Sequence, residues 1–376
     1  MRNKSFSKQP IDFILLIIVF IMLALGLIMV MSASSPTSIS EVGTSYKYVK
    51  TQAFCAVLGL FVMAIISKID YRIYKGFYKL IYWGVIVLLA SVTVIGVGSG
   101  GAKRWVNLGF LSFQPSEIAK IGLIIYYAAW LTKNKDELKS LKVGFFYPLL
   151  QLVPIAGVLF IVQNHLSATI LIALIVIVMM YMAGTKLKYF LTFGTAGAVG
   201  GASALYFYAK ITQKGLFRIT RILTFLHPFE DVQGSGWQIV QSLYAIGSGG
   251  LFGVGLGNST QKYLYLPEAH NDFIFSIIAE ELGFLGCIFV IALFALFIWR
   301  GILIAIKAPD MFGSLVAAGI TTMVGLQAIM NIAVVTSSMP NTGMPLPFFS
   351  YGGTSLVILL ASVGILLNIS RASKEK

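Results

Sequence analysis

The residues best suited to chemistry lie in one stretch, Pro267 to Gly283, which reads P-E-A-H-N-D-F-I-F-S-I-I-A-E-E-L-G. It begins polar and runs without a turn signal into an apolar segment from Leu282 to Trp299, so its acids sit at a membrane surface or below it. Lipid solvates a carboxylate badly unless a partner, a cavity or a substrate offsets the loss, which makes each such acid a functional candidate. Asp272 falls where the apolar pattern begins, and Glu280 and Glu281 lie about two helical turns deeper. For the two glutamates the competing expectation is pairing with Lys or Arg from a neighbouring helix. A helix starting at Pro267 puts Glu268 in its first turn and Asp272 four residues later on the same face. Two facing carboxylates repel, so one of them holds a raised pKa or shares a cation. A carboxylate placed in this way can act as a general base toward a hydroxyl.

Cations suited to an anion occur elsewhere. The segment G-S-G-G-A-K-R-W sets Lys103 and Arg104 beside Trp105, and an arginine fork matches phosphate oxygens while lysine supplies a mobile point charge. Arg218 and Arg221, three residues apart, suggest an interfacial helix facing lipid headgroups or an anionic lipid substrate. In Q-P-S-E-I-A-K, Pro115 suits a first helical position, Gln114 or Ser116 can cap, and Glu117 and Lys120 share a helix face. That pair either glues the bundle or serves a polar cavity. Glu268, His270 and Ser350 are further candidates for substrate contact. The Pro- and Gly-rich turn around Ser350 implies a rigid, non-helical path between two spans, and its Ser and Thr residues can equally serve as helix caps. The run G-S-G-G-L-F-G-V-G-L-G can dip into the membrane as irregular backbone, which requires protein or a water-filled cavity to satisfy it.

The elements that must position these residues are membrane spans. Of 376 residues 57% are hydrophobic and only 11% charged, with a mean hydropathy of +0.86. Apolar runs of about 20 residues recur from end to end and the alternation of a β-barrel is absent, so an all-α polytopic membrane protein follows. About ten spans are expected, near 11 to 33, 50 to 67, 77 to 97, 116 to 131, 144 to 162, 166 to 184, 188 to 209, 272 to 299, 312 to 336 and 350 to 370. A large outer loop, about 210–271, separates spans seven and eight, and no linker divides the single domain 1–376. Loops on the N-terminal side carry the larger share of Lys and Arg, which places both termini in the cytoplasm and the Pro267 stretch toward the outside. The net charge of +14 is scattered between spans, where it sets topology, and no nucleic-acid module is visible. Cys55 and Cys287 sit in apolar runs as packing residues, and the three histidines show no metal-ligand spacing.

Five ordered motifs then carry a resemblance that covers nearly the whole chain: G-A-K-R-W, Q-P-S-E-I-A-K, I-G-S-G-G-L-F-G-V-G-L-G, L-P-E-A-H-N-D-F-I-F-S-I-I-A-E-E-L-G and P-L-P-F-F-S-Y-G-G-T-S. The chain resembles the SEDS family (shape, elongation, division and sporulation; FtsW, RodA and SpoVE), and its last motifs look more like the FtsW/SpoVE branch. The resemblance implies a peptidoglycan glycosyltransferase that polymerises lipid II on the outer face of the cytoplasmic membrane, in septal or spore wall synthesis. It also implies a class B penicillin-binding protein transpeptidase as partner, with other divisome membrane proteins. The family's essential aspartate falls on Asp272, and Arg104, Glu117 and Lys120 match polar positions of its central cavity. One departure is His165, which stands where an aspartate is common in the family. In the implied mechanism Asp272 deprotonates the acceptor hydroxyl while Lys103, Arg104, Arg218 and Arg221 stabilise the departing pyrophosphate. A divalent cation, Mg or Mn, could assist, although no residue pattern demands one. A lipid II flippase is the alternative, since broken helices and intramembrane acids also suit transport. Against it stand the lack of an inverted repeat and the concentration of polar residues at the outer end.

Overall fold

In hydrocarbon no water is at hand for backbone N–H and C=O groups, and an apolar run satisfies its own by forming a helix. The computed structural model describes residues 10–98, 104–107, 112–195, 225–230, 232, 234, 236–263 and 265–372. Its helices are α1 (Phe13–Val42), α2 (Lys47–Ile66), the short α3 (Arg72–Gly76), α4 (Tyr78–Ile95), α5 (Pro115–Lys133), α6 (Tyr147–Gly157) and α7 (Leu166–Ala183). They continue with α8, described over 187–195, α9 (Trp237–Ser248), α10 (Ile274–Lys307), α11 (Met311–Val335) and α12 (Gly353–Arg371). Wide π-turns, Lys142–Phe146 and Val158–Val162, extend α6 at both ends.

Among the described residues eight helical segments are long and apolar enough to cross a membrane. Helix α5 is as long as several of them but carries Glu117, Lys120 and Lys133. The rest of the expected seventh span, and the first part of the expected loop 210–271, lie outside the described residues. One small element escaped the sequence reading: between α4 and α5 the chain forms an antiparallel sheet, β1 (Gly96–Val97), β2 (Trp105–Asn107) and β3 (Ser112–Phe113), with Val106 opposite both Gly96 and Phe113.

Helix α11 is the axis of the bundle. It packs against α5, α7, α9, α10 and α12, while α12 also packs along α2 and α1 along α10. Large side chains such as Phe54, Phe61, Trp83 and Val87 point outward, the expected pattern where the solvent is lipid. On the N-terminal side two capping aspartates also bind arginines. Asp12 accepts from Leu15 N at 2.9 Å and pairs with Arg300 at 2.5 Å. Asp310 accepts from Gly313 N at 2.8 Å, from the Tyr71 hydroxyl at 2.5 Å and from Arg72 at 3.2 Å. Each cap therefore ties its helix to another element.

Two departures from regular helix shape the half of the bundle opposite the start of α1. The expected helix start at Pro267 is wrong: residues 267–273 form turns, Glu268 has a φ of 56°, and α10 begins at Ile274. Helix α10 also breaks at Gly283, whose φ of 66° and ψ of −166° favour a residue without Cβ. The glycine-rich run fills the break. Val254 N and Gly255 N donate to Glu280 O and Glu281 O at 3.0 and 3.1 Å, and Phe284 N and Leu285 N donate to Gly250 O and Leu251 O at 2.9 and 3.2 Å. The orphan groups of a broken helix and of an irregular loop thus satisfy each other at depth.

Glu280 and Glu281 end the first half of α10, where the helix dipole disfavours negative charge. The following groups compensate them. Glu280 accepts from Ser259 Oγ at 2.5 Å and from Thr260 N and Oγ1 at 2.8 Å each. Glu281 binds Lys262 Nζ at 2.8 Å and Ser32 Oγ at 2.6 Å. The lysine comes from the loop before α10 and not, as expected, from a neighbouring helix. Both acids are consumed in pinning that loop to α1 and α10.

Candidate functional site

Polar residues from several of these elements surround a cavity of about 640 Å³. Arg104, Glu117, His165, Glu268, Asn271 and Asp272 are among its polar lining, and Cys55, Met323, Leu356 and Leu359 form apolar surface. The connection between α11 and α12 re-enters the bundle to build one side. There Phe348 and Phe349 are buried against Phe297 and Phe294 of α10, with ring centroids 5.9 Å apart in both pairs.

Asp272 sits on a turn whose backbone is held at three consecutive carbonyls. His270 O accepts from Tyr351 N at 2.9 Å, Asn271 O from Ser350 Oγ at 2.6 Å, and Asp272 O from Asn331 Nδ2 at 2.7 Å. Asn331 also donates to Met344 O at 2.7 Å, and Ser350 Oγ accepts from Leu346 N at 2.7 Å. Short polar side chains on α11 and the re-entrant loop thereby fix where the Asp272 carboxylate enters the cavity. The loop leaves room for it at Gly343, whose φ is 62° and whose missing Cβ would lie 3.2 Å from Asp272 Oδ2. Burial, with the charge of Glu268, pushes the Asp272 carboxyl up to about 6 against an opposing pull from Arg104. This is the range of a general base at neutral pH.

The other expected site residues divide. Arg104 borders the cavity and is anchored by Nε to Gln163 O at 3.2 Å and by Nη2 to Asn164 O at 2.6 Å. Glu117 borders it too and pairs with the buried Lys120 at 2.8 Å, as their spacing predicts. Pro115 takes the first helical position of α5, yet Gln114 forms no side-chain cap and Ser116 Oγ is buried without a partner. Glu268 is exposed at the rim and accepts from Asn271 Nδ2 at 2.5 Å. It does not share a helix face with Asp272. His270 is buried between Tyr48 and Tyr351, at ring-centroid distances of 4.6 and 5.8 Å, and burial lowers its pKa, so the ring is neutral. Ser350 lines the cavity, but its hydroxyl is engaged by the Asp272 turn. Lys103, Arg218 and Arg221 lie outside the described residues.

Among the described residues no three Asp, Glu, His or Cys side chains converge as metal ligands. The described carboxylates bordering the cavity do not gather into a cage for a divalent cation. Sequence reasoning missed Asn331, although an asparagine inside the apolar run of α11 is the kind of costly polar residue that marks a purpose.

The sequence pattern of the cell cycle protein family comprising FtsW, RodA and SpoVE matches residues 13–375. The chain belongs to this family. Stage V sporulation protein E of Bacillus subtilis (strain 168) is 41% identical over 370 residues, covering 98% of this chain and 99% of that protein. The probable peptidoglycan glycosyltransferase FtsW of Geobacter sp. (strain M18) is 40% identical over 361 residues, 96% of each. Among solved structures, a chain of a peptidoglycan synthase complex that coordinates polymerization and crosslinking superposes with a TM-score of 0.80 at 28% identity, covering 97% of this chain and 99% of that one. The rod shape determining protein RodA of Thermus thermophilus gives 0.69 at 28% identity, with 97% and 98% covered. The FtsW/RodA/SpoVE membership expected from the five motifs is therefore correct, as is the polytopic helical fold.

Proposed function

We propose that this FtsW/RodA/SpoVE-family protein is a peptidoglycan glycosyltransferase that polymerises lipid II at the outer face of the cell membrane, with Asp272 as its base. The observation that carries the reading is the placement of Asp272: a carboxylate of raised pKa, clamped through its backbone and opening into a cavity. Its carboxylate takes the proton of the acceptor sugar hydroxyl as that oxygen attacks the anomeric carbon of the lipid-linked donor. The bond from the anomeric carbon to the phosphate oxygen breaks, and undecaprenyl diphosphate leaves with the electron pair. Negative charge grows on the leaving group, and Arg104, fixed beforehand by two backbone carbonyls, is placed to offset it without reorganising. Lys103, Arg218 and Arg221 are proposed to add to this positive field. Glu117, held by Lys120, borders the same space and can accept hydrogen bonds from sugar hydroxyls.

The Lys and Arg distribution supports a cytoplasmic position for both termini, and in that orientation the cavity faces the exterior, where wall polymer is made. A class B penicillin-binding protein transpeptidase, with other divisome membrane proteins, is the proposed partner. The likeness to a synthase complex coordinating polymerization and crosslinking supports that assignment. The decisive experiment is gel analysis of product length after incubating the purified protein with lipid II, with and without its partner. Wild type is expected to make polymer and Asp272→Asn to make none while still folding and binding the partner. Polymer from Asp272→Asn, or lipid II crossing liposome membranes with no polymer from wild type, would overturn the reading.

A further inference from the structure

His165 is a buried titratable group on the cavity wall that the mechanism leaves unused. It closes the turn before α7, where its N–H donates to Leu159 O at 2.8 Å and its carbonyl accepts from Thr169 N at 3.2 Å. The side chain is 7% exposed, borders the cavity, and has Nδ1 enclosed without a hydrogen-bond partner. A buried N–H without an acceptor is rarer and costlier than a buried lone pair, so the proton belongs on Nε2. Burial and the charges of Arg104 and Lys120 push the ring pKa down to about 3, which keeps the ring neutral.

Two features next to this ring also favour an anion. Arg104 binds the carbonyls of Gln163 and Asn164, the two residues immediately before His165, so guanidinium and imidazole ride on the same turn. Helix α7 starts at Leu166, and the N–H groups of its first turn have no intrahelical acceptors. We propose that His165, Arg104 and the N-terminus of α7 form the phosphate subsite of the cavity, with His165 Nε2 donating to an oxygen of a lipid-linked diphosphate. This rests on the glycosyltransferase reading and deepens it. A neutral donor suits the place, because it directs a hydrogen bond at the phosphate without repelling Arg104 and Lys120.

The test uses the full chain in phosphatidylcholine nanodiscs, titrated with geranylgeranyl diphosphate or with the parent alcohol and followed by tryptophan fluorescence. Removing the donor in His165→Leu is expected to weaken diphosphate binding about tenfold or more, the scale of a hydrogen bond to a charged group. His165→Asn, which retains a neutral donor, is expected to stay within about threefold of wild type, and alcohol binding is expected to be unchanged throughout. In polymerisation assays His165→Leu should raise KM for lipid II and leave the acid limb of the pH profile in place. Diphosphate binding by His165→Leu equal to wild type overturns the proposal. So does an equal loss of diphosphate and alcohol, which would mean that the ring only shapes the cavity. Should the leucine variant fail to fold, His165→Phe, which keeps ring volume and removes the donor, decides: affinity below that of His165→Asn supports the subsite, and equal or tighter binding overturns it. Adding phosphatidylglycerol to the nanodiscs separates the two phosphate sources. Headgroup binding that depends on His165, with no such dependence for the diphosphate, overturns the assignment. Diphosphate binding needs no turnover, so a chain that binds through His165 but makes no polymer would defeat the enzyme reading and leave the subsite standing.

Discussion

Acidification should silence the enzyme in a window that the structure names. With the Asp272 carboxyl at about 6, its ionised fraction is about 0.9 at pH 7 and about 0.1 at pH 5. If the carboxylate is the base, kcat/KM for lipid II polymerisation falls about tenfold over that interval, whereas an ordinary aspartate would lose less than about a tenth of its ionised form. Unfolding driven by this group cannot mimic the loss. Its folded pKa lies above its unfolded one, so the contribution of Asp272 to stability is greatest below the unfolded value and declines as pH rises through the folded value of about 6. Rate and stability thus move in opposite directions as the medium is acidified. Burial is the larger cause of the shift and Glu268 the second. Glu268→Gln should therefore move the acid limb to lower pH without taking it to the value of a solvated aspartate. The assay is initial polymerisation rate against pH from 4.5 to 8, for wild type and Glu268→Gln in the same detergent. An acid limb at or below about pH 4.5 in wild type, or one that Glu268→Gln leaves unmoved, would refute the electrostatic account of the base.

Two further substitutions probe the scaffold. Asn331→Leu removes both 2.7 Å bonds to Asp272 O and Met344 O; leaving buried acceptors unpaired costs about 1–3 kcal/mol each. A displacement of about 1 Å in the carboxylate costs up to about 100-fold, so kcat should fall while geranylgeranyl diphosphate still binds, and an unchanged kcat would sink the clamp. Lys262→Met leaves Glu281, 1% exposed, without its 2.8 Å ion pair and should destabilise by about 3–5 kcal/mol in thermal unfolding. The double variant with Glu281→Gln should recover most of that loss. A double variant no better than the single would show that the pair does not act as a unit.

From sequence alone the solvent, the element type and the family were legible. Composition and span-length apolar runs demand membrane helices because a lipid-exposed backbone has no other way to satisfy itself, and Asp272 stood out because a carboxylate at that depth is costly. The pairing of Glu117 with Lys120 was equally legible, since neighbours three apart on a helix meet whatever the rest of the chain does. The roles of acids at similar depth were not. Glu280 and Glu281 look as suited to chemistry as Asp272, and only the return of residues 259–262 onto α10 shows them consumed by hydroxyls, backbone N–H groups and Lys262. Local pattern also misplaced the start of α10. Pro267 and Glu268 read as a first helical turn, but the three carbonyls that follow are taken by Tyr351, Ser350 and Asn331, and these contacts across about 60 to 80 residues of chain hold the turn open. His165 is the same lesson in reverse: a histidine unremarkable in its loop becomes a buried neutral ring under the charges of Arg104 and Lys120 only in the folded chain. Spacing within a helix is a local property that sequence carries, whereas the partner that decides whether a buried charge is structural or chemical arrives through tertiary packing.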